Sequence, residues 1–187
     1  MKRSSGILMP ISSLPGKYGI GTLGKEAYRF ADFLSKAGQS CWQILPVGPT
    51  TIGDSPYQSF SSYAGNPYFI DPEIMFNEGL ITEDELAGCG EIFKDRFTSV
   101  DYGLLYETRF NLLKKASERA WNIYGSEIVS FMDNEPWADG YARFMALKIA
   151  NGMKSHDCWT VREFGPDMTE DHRLYVFIQF EFYRQWN

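Results

Sequence analysis

Two short apolar runs with an amphipathic stretch between them limit what this chain can become. Gly6-Ile7-Leu8-Met9-Pro10-Ile11 is apolar at consecutive positions and is ended by the turn formers Ser12-Ser13-Leu14-Pro15-Gly16. An unbroken apolar run of that length suits a strand covered on both faces. After Gly16, Gly19, Gly21 and Gly24, the residues Ala27, Phe30, Ala31, Leu34 and Ala37 fall at helical spacing, with Gly38 where a helix C-cap belongs. Residues 23–37 are therefore predicted to form an amphipathic helix. A second apolar run, Ser40-Cys41-Trp42-Gln43-Ile44-Leu45-Pro46, predicts a strand over 41–45. Strand, helix and strand in this order make a parallel β-α-β unit with a right-handed crossover. Such a pair cannot form a buried sheet unaided, because both faces need cover and both edges need partners. The chain is expected to be the N-terminal portion of a larger α/β protein.

Beyond the second strand the pattern changes. Residues 47–71 have no period and are rich in Pro, Gly, Ser and Tyr, which describes a long ordered loop. Loops longer than about 12–15 residues within a compact domain usually carry function. Thr82-Glu83-Asp84-Glu85 has capping-box spacing and opens a short helix to Leu86, with its acidic residues expected to be a solvated helix N-terminus. Leu105, Thr108, Leu112, Leu113, Ala116 and Ala120 predict a helix over 102–124. Tyr141, Phe144, Met145, Leu147 and Ile149 mark another that stops at Gly152. Thr169 caps a last stretch, apolar at Leu174, Phe177, Ile178, Phe182 and Trp186, that runs uncapped to Asn187.

Composition excludes several classes. The net charge is −6 with no basic block, so nucleic acid is not an expected partner. No apolar run approaches the ~18 residues of a membrane span, and a cytoplasmic protein is expected. Cys41, Cys89 and Cys158 are far apart, and His156 and His172 are the two histidines, so neither a disulfide framework nor a metal site is signalled. The departure from the ordinary is 16% aromatic residues. Rings serve cores first, but an excess also suits a sugar-binding cleft, where apolar C–H faces lie on them. Trp42, Phe30 and Phe33 read as core, Cys41 as buried, and Tyr63, Tyr68 and Phe69 as packing folded back by the Asn66-Pro67 turn.

The most specific segment is Gly53-Asp54-Ser55-Pro56-Tyr57-Gln58-Ser59-Phe60-Ser61-Ser62-Tyr63-Ala64-Gly65-Asn66-Pro67-Tyr68-Phe69-Ile70-Asp71, which follows the second strand. It closely resembles a loop of the 4-α-glucanotransferases, the amylomaltases or disproportionating enzymes of glycoside hydrolase family 77. The resemblance extends to Ser12-Ser13-Leu14-Pro15-Gly16, Tyr18-Gly19 and Leu23-Gly24, then to Trp42-Gln43, Leu45-Pro46 and Gly48-Pro49-Thr50. Val100-Asp101-Tyr102, Phe144-Met145-Ala146-Leu147-Lys148 and Arg184-Gln185-Trp186 carry it across essentially the whole chain. The fold it implies is α/β: the N-terminal part of a (β/α)8 TIM barrel, contributing the first two parallel strands, with a large helical insertion. Residues 1–71 would then be the first β-α-β unit with the substrate loop, 72–167 the helical insertion, and 168–187 a barrel helix.

The activity so implied is transfer of a segment of an α-1,4-glucan to the 4-hydroxyl of another sugar by a retaining mechanism, with no metal or organic cofactor. One carboxylate attacks the anomeric carbon and a second acts as acid, then base. Family members are several hundred residues long, and their catalytic carboxylates lie on later strands; those motifs have no match here, so no catalytic residue is assigned. Asp54 reads as a turn residue. Ser55 and Tyr57 match family residues that contact substrate, the alternative being that both only brace the loop. Tyr106 matches a tyrosine that helps form a second glucan groove in some members, with Ile52 at the position of its partner ring; the alternative is packing on Tyr102. The partners implied are α-1,4-glucans: maltooligosaccharides, starch or glycogen. If the chain is complete, it would instead be a non-catalytic α-glucan-binding protein.

Overall fold

The computed structural model describes residues 3–51, 53–95, 98–165 and 167–187. It opens with β1 (Gly6–Leu8), α1 (Lys25–Lys36) and β2 (Cys41–Gln43), and the two strands pair in parallel with Gly6 opposite Cys41 and Leu8 opposite Gln43. Gly6 is needed for that approach, since a Cβ there would stand 2.4 Å from the Cys41 carbonyl oxygen. Both strands are shorter than the apolar runs. Pro10 has no N–H to continue the ladder, and Ile11–Ser13 tightens into a 3-10 turn. The indole of Trp42 donates to the Met9 carbonyl at 2.8 Å, and Phe30 of α1 meets it edge-on at 4.9 Å.

The strand pair is bare where burial was expected. Ile7 is 41% and Leu8 55% exposed, and Cys41 is exposed as well, because the described residues place α1 against β2 but no layer over the other face. Phe33, expected in the core, is exposed, its ring stacked on Phe30 at 6.2 Å.

The helical layer is α2 (Pro72–Asn77), α3 (Glu83–Ile92), α4 (Tyr102–Ile123), α5 (Gly125–Asn134), α6 (Pro136–Ala150) and α7 (Glu170–Trp186). Side-chain caps start four of them. Asp71 accepts from Glu73 N and Ile74 N, Asp101 from Leu104 N, Thr169 from His172 N, and Thr82 forms a reciprocal capping box with Glu85. The box is as read, and Glu83 and Asp84 are exposed as expected, but Glu85 is not a solvated residue. Glu85 also takes both ends of Arg119, at 2.8 and 3.0 Å, and this bidentate pair holds its carboxyl down at about 2. Among the described residues no helix is long and apolar enough to cross a membrane.

α7 is the centre of the core. Val176, Phe177 and Ile178 are wholly buried, and the helix packs chiefly on α6, then on α4 and α5. Arg109 of α4 is wholly buried too, donating to the carbonyls of Ile70 and, at 3.3 Å, Tyr18. A second buried polar group, Glu181, accepts from Gln185 Nε2 at 2.7 Å and Arg184 Nη1 at 3.1 Å, while Arg184 Nη2 reaches Glu78 at 2.6 Å.

Two carboxylates thus share one guanidinium. Burial, and then the charge of Glu78, push the Glu181 carboxyl up to about 7. Between the unfolded carboxylate value and about 7, the folded protein holds a proton that the unfolded chain has released. Stability from this site is therefore fully present below about 4.5 and falls as pH rises through the window to about 7. The urea midpoint should drop between pH 5 and 7.5, and Glu181→Gln should flatten that drop. An identical pH profile for the variant would remove Glu181 from the account.

Candidate functional site

The loop over residues 47–71 leaves β2 and returns to the helical layer, closed at its base by Asn66 N donating to Val47 O at 2.8 Å. Gly53 and Asp54 turn the chain with φ of +83° and +52°. Asp is among the few side-chain-bearing residues that tolerate such a backbone. Ser55 then accepts twice: its Oγ from Tyr57 N at 3.3 Å and its carbonyl from Gln58 N at 3.2 Å. The result is a tight turn that presents Tyr57 with 73% of its surface open.

Past the turn, hydroxyls brace the loop. Ser59 Oγ donates to Ser61 O at 2.7 Å, and Ser61 Oγ accepts from Tyr63 N and Ala64 N, both at 3.1 Å. The Asn66 side chain accepts from Tyr68 N and starts the 3-10 turn Pro67–Phe69, which buries Tyr68, Phe69 and Ile70. Tyr63 differs from the expectation for it: it is 66% exposed and stacks on Trp137 at 5.9 Å, because the fold-back begins only at Asn66. α7 anchors the returning strand of the loop. Gln179 bonds to Gly65, Tyr183 Oη donates to Tyr63 O at 2.7 Å, and Gln185 Oε1 accepts from Asp71 N at 2.6 Å.

Between this loop and α4, α6 and α7 lies a cleft of about 620 Å³ whose aromatic walls include Tyr68, Tyr102, Tyr106, Phe110, Tyr141 and Tyr175. Its volume is that of a small-molecule site. Burial, first among the causes, pushes the phenols of Tyr68, Tyr141 and Tyr175 above their ordinary value. They stay neutral and keep a proton to donate, as recognition of hydroxyl groups requires. Lys148 adds a cation, 4.7 Å above the ring of Phe60. Asp54 is the single carboxylate among the described lining residues, so the cleft holds no pair of the kind that works on a glycosidic bond. Nor do three or more His, Cys, Asp or Glu side chains gather as a metal site among the described residues.

A second opening, of about 750 Å³, lies over the residues after β1, and its carboxylates Asp71 and Glu73 are engaged within the protein. Glu73 takes Tyr18 and Lys25, and Asp71 takes Thr22 at 2.5 Å.

The structure thus brings Ser55 and Tyr57 together on one turn and sets Tyr106 in the cleft wall. Tyr106 is half exposed, with its ring 4.7 Å from Phe110 one helical turn later. Ile52 lies outside the described residues. His156 sits exposed beside Trp159, whereas His172 is buried 2.9 Å from Asp139 at the α6–α7 contact. Sequence reasoning missed most of the cleft, although Tyr102, Tyr106 and Phe110 stand at four-residue intervals and mark one face of α4.

A parallel strand pair followed by a long loop and a helical layer has known counterparts. The sequence model of the 4-alpha-glucanotransferase family matches residues 9–187, and the chain belongs to that family. The 4-alpha-glucanotransferase of Clostridium butyricum is 42% identical over 189 residues, covering 95% of this chain and 38% of the relative. That of Streptococcus pneumoniae is 40% identical over 203 residues, covering 99% and 39%. The amylomaltase of Streptococcus agalactiae, solved in complex with acarbose, superposes with a TM-score of 0.92 at 39% identity, over 99% of this chain and 40% of that one. The chain therefore spans about two fifths of the length of these relatives.

The positive φ of Asp54 yields a specific expectation. Asp54→Gly should leave the loop intact, while Asp54→Val should destabilise the turn by about 1–2 kcal/mol, the cost of a left-handed conformation for an L-residue with a Cβ. Hydrogen exchange at Tyr57 N and Gln58 N is the readout. Equal protection in the two variants would mean that the backbone conformation at residue 54 does not hold the turn.

Proposed function

We propose that this chain is the substrate-loop portion of a 4-α-glucanotransferase, an enzyme that cuts an α-1,4-glucan and passes the segment to the 4-hydroxyl of glucose or another glucan. The single observation that carries the reading is Tyr57, held open on a braced turn of the long loop after β2, the loop whose Asp54 and Phe60 line the aromatic cleft. Its ring offers a flat apolar face to the C–H face of a sugar, and its phenol one hydrogen bond. Ser55 offers a second hydroxyl, pre-positioned by the same turn, so little conformational freedom is lost when sugar binds. In this reading β1 and β2 are two neighbouring strands of a (β/α)8 barrel, and polypeptide beyond these residues covers the bare Ile7 and Leu8. α2 to α6 form the helical insertion and α7 a barrel helix. The enzyme works in the cytoplasm.

The chemistry of the reading is a retaining displacement. A carboxylate forms a bond to the anomeric carbon as the leaving oxygen takes a proton from a second carboxyl group. The acceptor hydroxyl then gives its proton back to that group and displaces the carboxylate. Neither carboxylate is assigned to this chain, whose part is to hold glucan in place. Sugar must win over water in the second step, so the open aromatic surfaces around Tyr57 and Tyr106 matter as much as the nucleophile.

Two measurements test this. The isolated 187-residue polypeptide should release no glucose from maltotriose above a blank, whereas an enzyme of the relatives' length carrying these residues should. In that enzyme Tyr57→Ala should lower kcat/KM more than Ser55→Ala, since Tyr57 loses a ring face and a hydroxyl while Ser55 loses one hydrogen bond, worth about 0.5–1.5 kcal/mol. Wild-type values for both variants would reduce the turn to a brace.

A further inference from the structure

Gln179 lies within the apolar face of α7 and is wholly buried. Its Oε1 accepts from Gly65 N at 2.7 Å and its Nε2 donates to Gly65 O at 3.2 Å. One primary amide therefore satisfies both backbone groups of one loop residue, as a neighbouring strand would. Flanked in α7 by Ile178 and Phe180, this position would accept an apolar residue if filling space were its only task. An amide there costs desolvation unless both of its ends are bonded, so its benefit lies in fixing Gly65.

The fit admits no slack. A Cβ at Gly65 would stand 2.1 Å from the Phe182 ring, so the loop backbone lies directly on a ring of α7. From Gly65 the position is handed back along the loop by short-range bonds. Ser61 Oγ holds Ala64 N and Tyr63 N, Ser59 Oγ holds Ser61 O, and Ser55 holds Tyr57 N and Gln58 N.

We infer that Gln179 is a positioning residue for Tyr57: through the Gly65 clamp and the serine braces, it sets where the Tyr57 ring stands. The inference rests on the reading of Tyr57 as a substrate contact. It assigns a part in the transfer reaction to an amide that the fold buries away from substrate.

The test is a double-mutant cycle in the enzyme of full length, following kcat/KM for transfer between maltooligosaccharides. Gln179→Leu should lower kcat/KM about tenfold or more, since a displacement of about 1 Å at reacting groups costs up to about 100-fold. In the Tyr57→Ala background the same change should cost less than about twofold, the limit expected when the two positions act through one step. Gln179→Glu is the second variant, for use if the leucine variant fails to fold. Its carboxyl can bond both groups of Gly65 only when protonated, so its activity relative to wild type should recover as pH falls, and that recovery should vanish in the Tyr57→Ala background. An undiminished loss from Gln179→Leu in the Tyr57→Ala background, or a pH recovery of Gln179→Glu that persists there, would overturn the positioning role. Wild-type kcat/KM for Tyr57→Ala itself would overturn the substrate reading first, and the inference with it.

Discussion

A single guanidinium joins the parts of this molecule. Arg109, wholly buried in α4, donates to the carbonyl of Tyr18, in the turn after β1, and to that of Ile70, where the long loop rejoins the helical layer. Burial pulls its pKa down, so the charge is held at a cost that the carbonyl bonds offset. Those carbonyls are in places where the backbone leaves regular structure and water is excluded, so without Arg109 they would be unpaired acceptors. Asp71, next to Ile70, continues the junction by capping α2 and accepting from Thr22. The turn after β1, the loop and the helices thus share one polar node inside the core.

α7 complements that node from the other side. Its apolar residues Val176, Phe177 and Ile178 make the core, while Gln179, Tyr183 and Gln185 bond to the returning strand of the loop. The same helix that receives most of the burial therefore also receives the loop. The cleft inherits its character from this arrangement. Its inner phenols come from α7 itself and from elements packed on it, which is why they are buried and neutral, while Tyr106 remains half open in its wall.

The β-α-β unit was legible because its signals are local. The spacing of Ala27, Phe30, Leu34 and their neighbours placed α1 within two residues of its ends. The strand lengths were not legible in the same way, as Pro10 ended β1 inside an apolar run. α3 was read too short, because Gly88 and Gly90 weaken a helix locally, and the burial of Cys89 and Phe93 outweighs that. α5 was missed, since Gly125 and Asn134 at its ends interrupt the pattern on which the reading relied. Family membership and the loop motif were both legible, and Ser55 and Tyr57 do share a turn. The clamp was not, since Gln179 and Gly65 stand 114 residues apart and no periodicity records a pair at that distance.

The seating of the Gly65 backbone on the Phe182 ring couples the loop to α7. A side chain at residue 65 would require a smaller or displaced one at residue 182, so a larger residue at 65 should be found with a smaller one at 182 as related sequences diverge. For protein engineering the unit of exchange follows directly. A loop transplanted from a relative to alter glucan preference would arrive without its seat, unless the stretch of helix from Gln179 to Gln185 travelled with it.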